Sequence, residues 1–411
     1  MIDVSLLREN PSKIIELLQR KDASFDAHLF LALDKEVREL RTMVESLRHT
    51  KNELAQQGKT GVTQELRARS TQIGKELKEK ESRLHDIEKE YKNLLLRCPN
   101  IPYEDLPKGG KESNLVVREY GVKPSFDFPI NNHVELGQKL GWFDFEAAAR
   151  MTGSNFVLYK GEAVKLMYSL IMFMLKHNEK YGYSFVLPPY LVNEKSLENA
   201  SNFPKFREQV YEMPADNLFL IPTAEVNLAN MYRDTTFQSD QLPLRMTAWT
   251  SCFRREAGTY GAAERGLIRI HQFEKVELYT YCQPEESNKE LEMMIACAES
   301  LLQKLGLHYR VSLLAAQDCS FPSAKTFDIE VWMPGQNAYY EVSSCSNCTD
   351  FQSRRGGMRY RKFAGDKSHF VHTLNGSALA LPRLIVALME TYQQPDGSIK
   401  IPEVLKGYGF Y

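Results

Sequence analysis

The chain has almost no net charge, no apolar run long enough for a membrane and too irregular a set of cysteines for a disulfide framework. Its 411 residues carry 52 Lys and Arg against 53 Asp and Glu, a formal net charge of −1. A nucleic-acid partner would therefore have to be held by local basic patches, not by an overall cationic surface. The longest apolar stretch, LMYSLIMFML at 166–175, is too short to span a bilayer. The opening MIDVSLLRENPSKIIELLQR contains carboxylates and no continuous apolar core, so it does not read as a secretory or transit segment. Seven cysteines, an odd number scattered over a long chain, suit a reducing compartment, and the expectation is a cytosolic protein without a membrane partner. What the chain does have is 43% hydrophobic and 11% aromatic residues, enough for a real core and, at this length, more than one domain.

Two unlike halves follow. From Leu33 the apolar positions run Leu33, Val37, Leu40, Val44, Leu47 and Leu54, with Lys51 the one polar interruption of a heptad seam. A polar break, QQGKTGVTQ (56–64), precedes a second seam through Leu66, Ile73, Leu77, Lys80, Leu84, Ile87, Tyr91 and Leu94. Two such helices joined by a short turn fold back as an antiparallel pair, each on the order of 45 Å long at about 1.5 Å per residue. This hairpin reads either as an oligomerisation coil or as an arm that grips a partner. Between Asp34 and Leu96 it has fourteen Lys and Arg and twelve Asp and Glu, so it is no basic rod. Residues 1–98 are taken as an N-terminal domain with this arm, 99–114, rich in Pro and Gly, as a linker, and 115–411 as a second domain.

In the second domain, short alternating strands, turns and a few helices replace heptads. MTAWTSCFRRE (246–256) and LIRIHQFEKVELY (267–279) read as strands around the loop AGTYGAAERG, and 327–335 with 339–346 as another antiparallel pair. Residues 163–180 read as an amphipathic helix. The fold class is α+β with an antiparallel sheet. If 267–279 is one strand, Leu267, Arg269, His271, Phe273, Lys275 and Glu277 share a face, and Ile268, Ile270, Val276 and Leu278 the other. The second face is core. The first needs solvent or a ligand to explain it, and Phe273 alone would pass for core.

The set PPYLV, IPTAE, CFRREAG, RGLIRIHQFEKVE, YYEVSSCSN and HTLNGS resembles seryl-tRNA synthetase, a class II aminoacyl-tRNA synthetase, over essentially the whole chain. Phe-Arg-x-Glu alone is weak; the motifs in this order are strong together. The resemblance implies ATP-dependent activation of L-serine to seryl adenylate and transfer of the seryl group to tRNA(Ser), with tRNA(Sec) open as a second acceptor. In that chemistry the substrate carboxylate is the nucleophile, so the protein's task is to hold two anions together and meet the charge that grows in line, for which arginines and Mg²⁺ are suited. Residues 269 and 277, roughly 27 Å apart in a strand at about 3.4 Å per residue, are too distant for an acid–base pair but suit a ligand laid along a sheet.

By resemblance Arg254, Arg269 and Arg383 are catalytic. Arg254 meets the α-phosphate and the serine carboxylate, and the other two reach the remaining phosphates and the nucleotide. Phe273 stacks on adenine, Glu256 with Arg255 belongs to the adenine-reading motif, and Glu277 receives the serine ammonium. Thr223, Ala224, Glu225, Asn375 and Ser377 form the serine pocket. Glu341, Val342, Ser343 and Ser344 border ATP, with Glu341 and Ser344 as Mg²⁺ ligands. These two stand three apart, so a regular strand would point them to opposite faces, and a bulge or a strand end is needed to bring both oxygens to one ion. Where the family has a glycine-rich run, NGSALALPR keeps Gly376 but has Ala378 and Pro382; the latter suits a first helical turn. The pair Cys345 and Cys348 without partners reads as structural or incidental thiols. The resemblance further implies a homodimer formed through the region ending in PPYLV, and an arm that grips the long variable arm of tRNA(Ser). A carrier-protein ligase is the rival, but such relatives lack the arm; a non-catalytic coiled-coil protein would be expected to have lost the arginines.

Overall fold

The computed structural model describes residues 1–59, 61–257 and 266–411. They form two compact units, Met1–Pro99 and Asn100–Tyr411.

The first unit holds two short helices, α1 (Val4–Glu9) and α2 (Pro11–Lys21), and the long pair α3 (Ala27–Gln57) and α4 (Gln64–Arg97). Asp26 and Thr63 cap the long helices through their side chains. The seam is buried where the heptads place it, at Leu33, Val37, Leu40, Val44, Leu54, Leu77 and Ile87. Arg41–Glu88, Arg48–Glu81 and Arg83–Glu36 join the helices along the exposed edges at 2.7–2.8 Å. With the apolar positions facing each other inside one chain, the hairpin is an intramolecular coiled coil.

The second unit is built on an eight-stranded sheet: β1 (Leu115–Tyr120), β2 (Ser184–Val186), β3 (Leu244–Phe253), β4 (Gln272–Cys282), β5 (Tyr309–Leu313), β6 (Lys325–Met333), β7 (Ala338–Asn347) and β8 (His372–Ala380), in the order β1-β5-β6-β7-β8-β4-β3-β2. Every pairing is antiparallel except β2 with β3. Helices α5 (His133–Leu140), α6 (Glu162–Glu179), α7 (Ser287–Lys304) and α8 (Leu381–Tyr392) belong to the same unit. The main core joins Leu170, Met294, Leu301, Ile385 and Leu388 of α6–α8 to Val276, Leu278, Ile329, Val331 and Leu374 of the sheet. Tyr279 and Tyr281, on the alternate positions of β4, fall in a second cluster with Phe219, Ile221 and Val226. Central strand β4 is thus buried on both faces, and Lys275 and Glu277 share the face of Tyr279 and Tyr281.

The strand expected over 267–279 starts five residues later. The β3–β4 ladder ends at Phe253 with Gln272, and the preceding backbone donors go elsewhere: His271 N–H to Asn155 O at 3.0 Å and Leu267 N–H to a ring nitrogen of His133 at 3.2 Å. Without a ladder there is no alternation, so Leu267 and Ile268, assigned to opposite faces, are both core residues. Arg269 accordingly does not stand on the strand face that carries Phe273 and Glu277, and strand spacing does not measure its distance from them. Of the loop AGTYGAAERG, 258–265 lie outside the described residues. The segment read as a linker is tied into the second unit: Asn100 N–H donates to Phe321 O, Tyr103 N–H to Ala324 O, and Asn100 Nδ2 to Pro322 O and Cys348 O.

Candidate active site

Strand β4 brings Glu277 into a sealed polar cluster. Its Oε2 accepts from Thr223 Oγ1 at 2.9 Å and pairs with the Lys275 ammonium, which also donates to Thr223 Oγ1 at 2.8 Å. Glu277 is 1% exposed, and its Oε1 is buried without a partner. A buried carboxylate oxygen left open is costly unless something fills it. Thr223 belongs to the turn ahead of the short helix Glu225–Leu228, and Arg254, just past β3, donates to Pro222 O at 3.3 Å.

Behind this cluster Glu225 joins two distant segments. Its Oε2 accepts from Asn375 Nδ2 on β8 at 3.2 Å and its Oε1 from Gln352 Nε2 at 2.7 Å. Gln352, fully buried in the helix Phe351–Gly356, accepts in turn from Tyr279 OH and Thr373 Oγ1, each at 2.8 Å. Withdrawal from water and the neighbouring Glu277 charge push the Glu225 carboxyl up to about 7.

A cavity opens in front of the cluster, lined by Arg254, Glu256, Arg269, Phe273, Lys275, Glu341, Ser377 and Arg383 among others. The Arg254 guanidinium lies 5.1 Å over the Phe273 ring. Arg269 pairs with Glu256 at 2.6 Å, and Glu256 has a left-handed backbone with φ +49°, an uncommon conformation for a non-glycine residue that recurs at functional sites. Arg383 donates to Glu341 O at 2.8 Å and Ile268 O at 3.3 Å. It follows Pro382 in the first turn of α8, where a proline costs no hydrogen bond.

Arg269, Glu341 and Arg383 also border an acidic neighbouring cavity with Asp318, Asp328, Glu330 and Ser344. Of the bulge or strand end that a shared role of Glu341 and Ser344 needs, β7 has the bulge. Ile329 pairs with Ser343 but Glu330 with Glu341, leaving Val342 as the extra residue of β7. Glu341 and Ser344 therefore open on the same space, and Val342 is in the core. Asp328 Oδ1 is buried without a partner, and burial together with the Glu341 charge raises the Asp328 carboxyl well above the usual range. A second irregularity, between Val276 and Glu277, makes Ala378 the extra residue of β8. Gly376 stands where a Cβ would lie 2.8 Å from Met294 Sδ and 2.9 Å from Cys345 Sγ, so no side chain fits.

The structure thus gathers Arg254, Glu256, Arg269, Phe273, Glu341, Ser344, Ser377 and Arg383 on two adjoining cavities, and Thr223, Glu225, Glu277 and Asn375 in the polar cluster behind them. Ala224 is core, the Ser343 hydroxyl is bound to Ser377 O, and Arg255 donates its backbone N–H to Gln209 O; none of the three lines either cavity. Lys275, Gln352 and Asp328 are contributors that the sequence did not single out. Lys275 shares its strand face with Glu277 and could have been found from that; nothing in the spacing of Gln352 marks it. Cys345 and Cys348 are buried and form no disulfide, and burial pushes the Cys345 thiol up to about 12.

Comparison with known proteins follows the same division of the chain. Residues 1–102 match the family model described as seryl-tRNA synthetase N-terminal domain, and 209–392 that of the tRNA synthetase class II core domain (G, H, P, S and T). A serine–tRNA ligase of Fervidobacterium nodosum is 45% identical over 99% of this chain and 98% of its own, and one of Akkermansia muciniphila 46% over 99% and 97%. Among solved structures, the seryl-tRNA synthetase of Pyrococcus horikoshii complexed with ATP superposes with a TM-score of 0.94 at 36% identity, covering 100% of this chain and 98% of the other. The cytoplasmic serine–tRNA ligase of Naegleria fowleri in complex with AMP gives 0.86 at 28%, covering 99% and 97%.

Proposed function

The chain belongs to the seryl-tRNA synthetase family and uses ATP to activate serine and load it on tRNA, and from that premise we propose how its residues divide the work. The carrying observation is Glu277: a buried carboxylate with an open oxygen, paired with Lys275 of a cavity lined by three arginines. Serine enters with its ammonium on Glu277 and its hydroxyl toward Thr223, Glu225, Asn375 and Ser377. A site built to bond a hydroxyl rejects alanine by leaving those polar groups unpaired. The serine carboxylate then faces Arg254 and attacks the α-phosphorus of ATP as pyrophosphate leaves. Arg254 meets the charge that grows there, and Phe273 supplies a face for the adenine. Glu256 borders the base, and Arg269 and Arg383 hold the outer phosphates.

A divalent cation fits the second cavity. Asp328 Oδ1 is buried without a hydrogen-bond partner, and burial first and then the Glu341 charge raise its carboxyl, two effects that a cation beside it would offset. Glu341 and Ser344 would hold Mg²⁺, with the substrate phosphates completing its oxygen shell, since Mg²⁺ favours one or two carboxylates plus phosphate. When bound it supplies neutralising charge between phosphate oxygens.

The arm, in a first domain ending near residue 98, grips tRNA(Ser) through a few phosphate contacts and shape, as structured RNA is recognised; tRNA(Sec) is a second acceptor to be tested. A homodimer is supported by the two sheet edges, where Leu115, Val116, Val117 and Tyr120 of β1 and Phe185 and Leu187 at β2 are exposed. The seven cysteines, none of them in a disulfide, suit the cytosol, and among the described residues no helix is long and apolar enough to cross a membrane.

Losing one partner of a shielded ion pair costs about 2–5 kcal/mol. Glu277→Ala is therefore expected to lower serine-dependent pyrophosphate exchange at least about thirtyfold; near-normal exchange would remove Glu277 from the site.

A further inference from the structure

Arg269 reaches the cavity on a segment, 266–271, that has no strand partner. What holds its start is a side chain from α5. His133 is 1% exposed, and Leu267 N–H donates to its Nε2 at 3.2 Å. An accepting Nε2 puts the ring proton on Nδ1, which lies 3.1 Å from Glu390 Oε1. Glu390, fully buried in α8, also accepts from His133 N–H at 3.0 Å, Gln336 Nε2 at 3.0 Å and Gly335 N–H at 2.9 Å. Its carboxylate is thereby fixed, and with it the tautomer and tilt of the ring. The chain passes hard against that ring at Gly266: φ is +71° and a Cβ would lie 2.2 Å from Nε2. His133, Glu390, Gly335 and Gln336 line neither cavity.

We propose that His133, oriented by Glu390, is a positioning residue that pins Leu267 and so sets the angle at which Arg269 meets the phosphates of ATP. This rests on the reading of Arg269 given above. A buried carboxylate with this many donors exceeds what filling the space would need, and the one backbone group it serves at the far side of the ring is two residues from a cavity arginine.

Two variants separate positioning from plain structure. In His133→Asn the amide nitrogen takes the place of Nδ1 and keeps the bond to Glu390, but Leu267 N–H is left unpaired. In His133→Gln the side chain reaches to the place of Nε2 and can present its oxygen to Leu267. In serine-dependent pyrophosphate exchange, His133→Asn is expected to raise the KM for ATP about fivefold or more, because Arg269 is no longer held at its angle to the phosphates. The KM for serine stays within about twofold, and His133→Gln brings the KM for ATP back to within about twofold of the parent. Arg269→Ala, measured alongside, should raise the KM for ATP. If it does and His133→Asn does not, or if the two His133 variants fail alike for both substrates, the positioning role is overturned. An unchanged KM for ATP in Arg269→Ala would sink the reading of Arg269 and the proposal with it. Should His133→Asn not fold, His133→Gln decides alone: a KM for ATP near the parent's supports the role, and a rise matching that of Arg269→Ala overturns it.

Discussion

Glu225 is a carboxylate under opposed influences. Burial and the Glu277 charge raise it to about 7, while Gln352 and Asn375 donate to its two oxygens and favour the anion. Because its folded value lies above the ordinary one, the folded chain keeps a proton that the unfolded chain has lost. Its contribution to stability is full below about pH 4.5 and gone as pH rises through about 7. Serine brings a positive charge, which the anion attracts and the acid does not. The KM for serine is therefore expected to fall as pH rises from about 6 to 8, and Glu225→Gln to flatten that slope. A parent profile that is already flat, or a variant with the same slope, would show that Glu225 does not titrate with serine.

In α3, Asp34 shows how the arm is rooted. Its side chain is 2% exposed and receives Arg8 through Nε and Nη2 at 2.8 and 2.6 Å, Arg38 Nε at 3.0 Å and Tyr91 OH at 3.3 Å. Burial alone would raise its carboxyl; hydrogen bonds and charge from Arg8 and Arg38 outweigh it and hold the group below the usual range. A depressed carboxyl stabilises the fold above its unfolded value, about 3.9, and loses that contribution as pH falls through the folded value. Asp34→Asn should cost about 1–3 kcal/mol near pH 7, followed by thermal melting of the helical signal, and the gap to the parent should close toward pH 3. A gap that does not change with pH would mean that the loss is steric.

For the whole molecule the question is what the arm does. Its apolar seams are spent on one another, which leaves little to bind a second subunit. A chain starting at Asn100, where the second unit begins, is expected to remain a dimer and to make seryl adenylate. It should charge tRNA(Ser) at least about tenfold worse, a loss of about 1.4 kcal/mol or more. A truncated chain that became monomeric yet charged tRNA normally would make the arm an oligomerisation device.

Periodic features were legible in the sequence alone. The heptads fixed α3 and α4 because a two-helix seam needs nothing outside itself, and the antiparallel pair β6–β7 was legible in the runs 327–335 and 339–346, while the spacing of Glu341 and Ser344 left open whether a bulge or a strand end brings them together. Tertiary structure decided what depends on unlike segments meeting. Residues 267–271 alternate like a strand, but Leu267 and His271 give their backbone donors to His133 and Asn155, so the β3–β4 ladder does not continue through them and the face assignment fails. Gln352 reaches Glu225 across 127 residues, and Glu390 reaches His133 across 257. Such contacts leave no local period to read, because a buried polar group selects its partner by position in space, and only the closed fold determines which donor stands there.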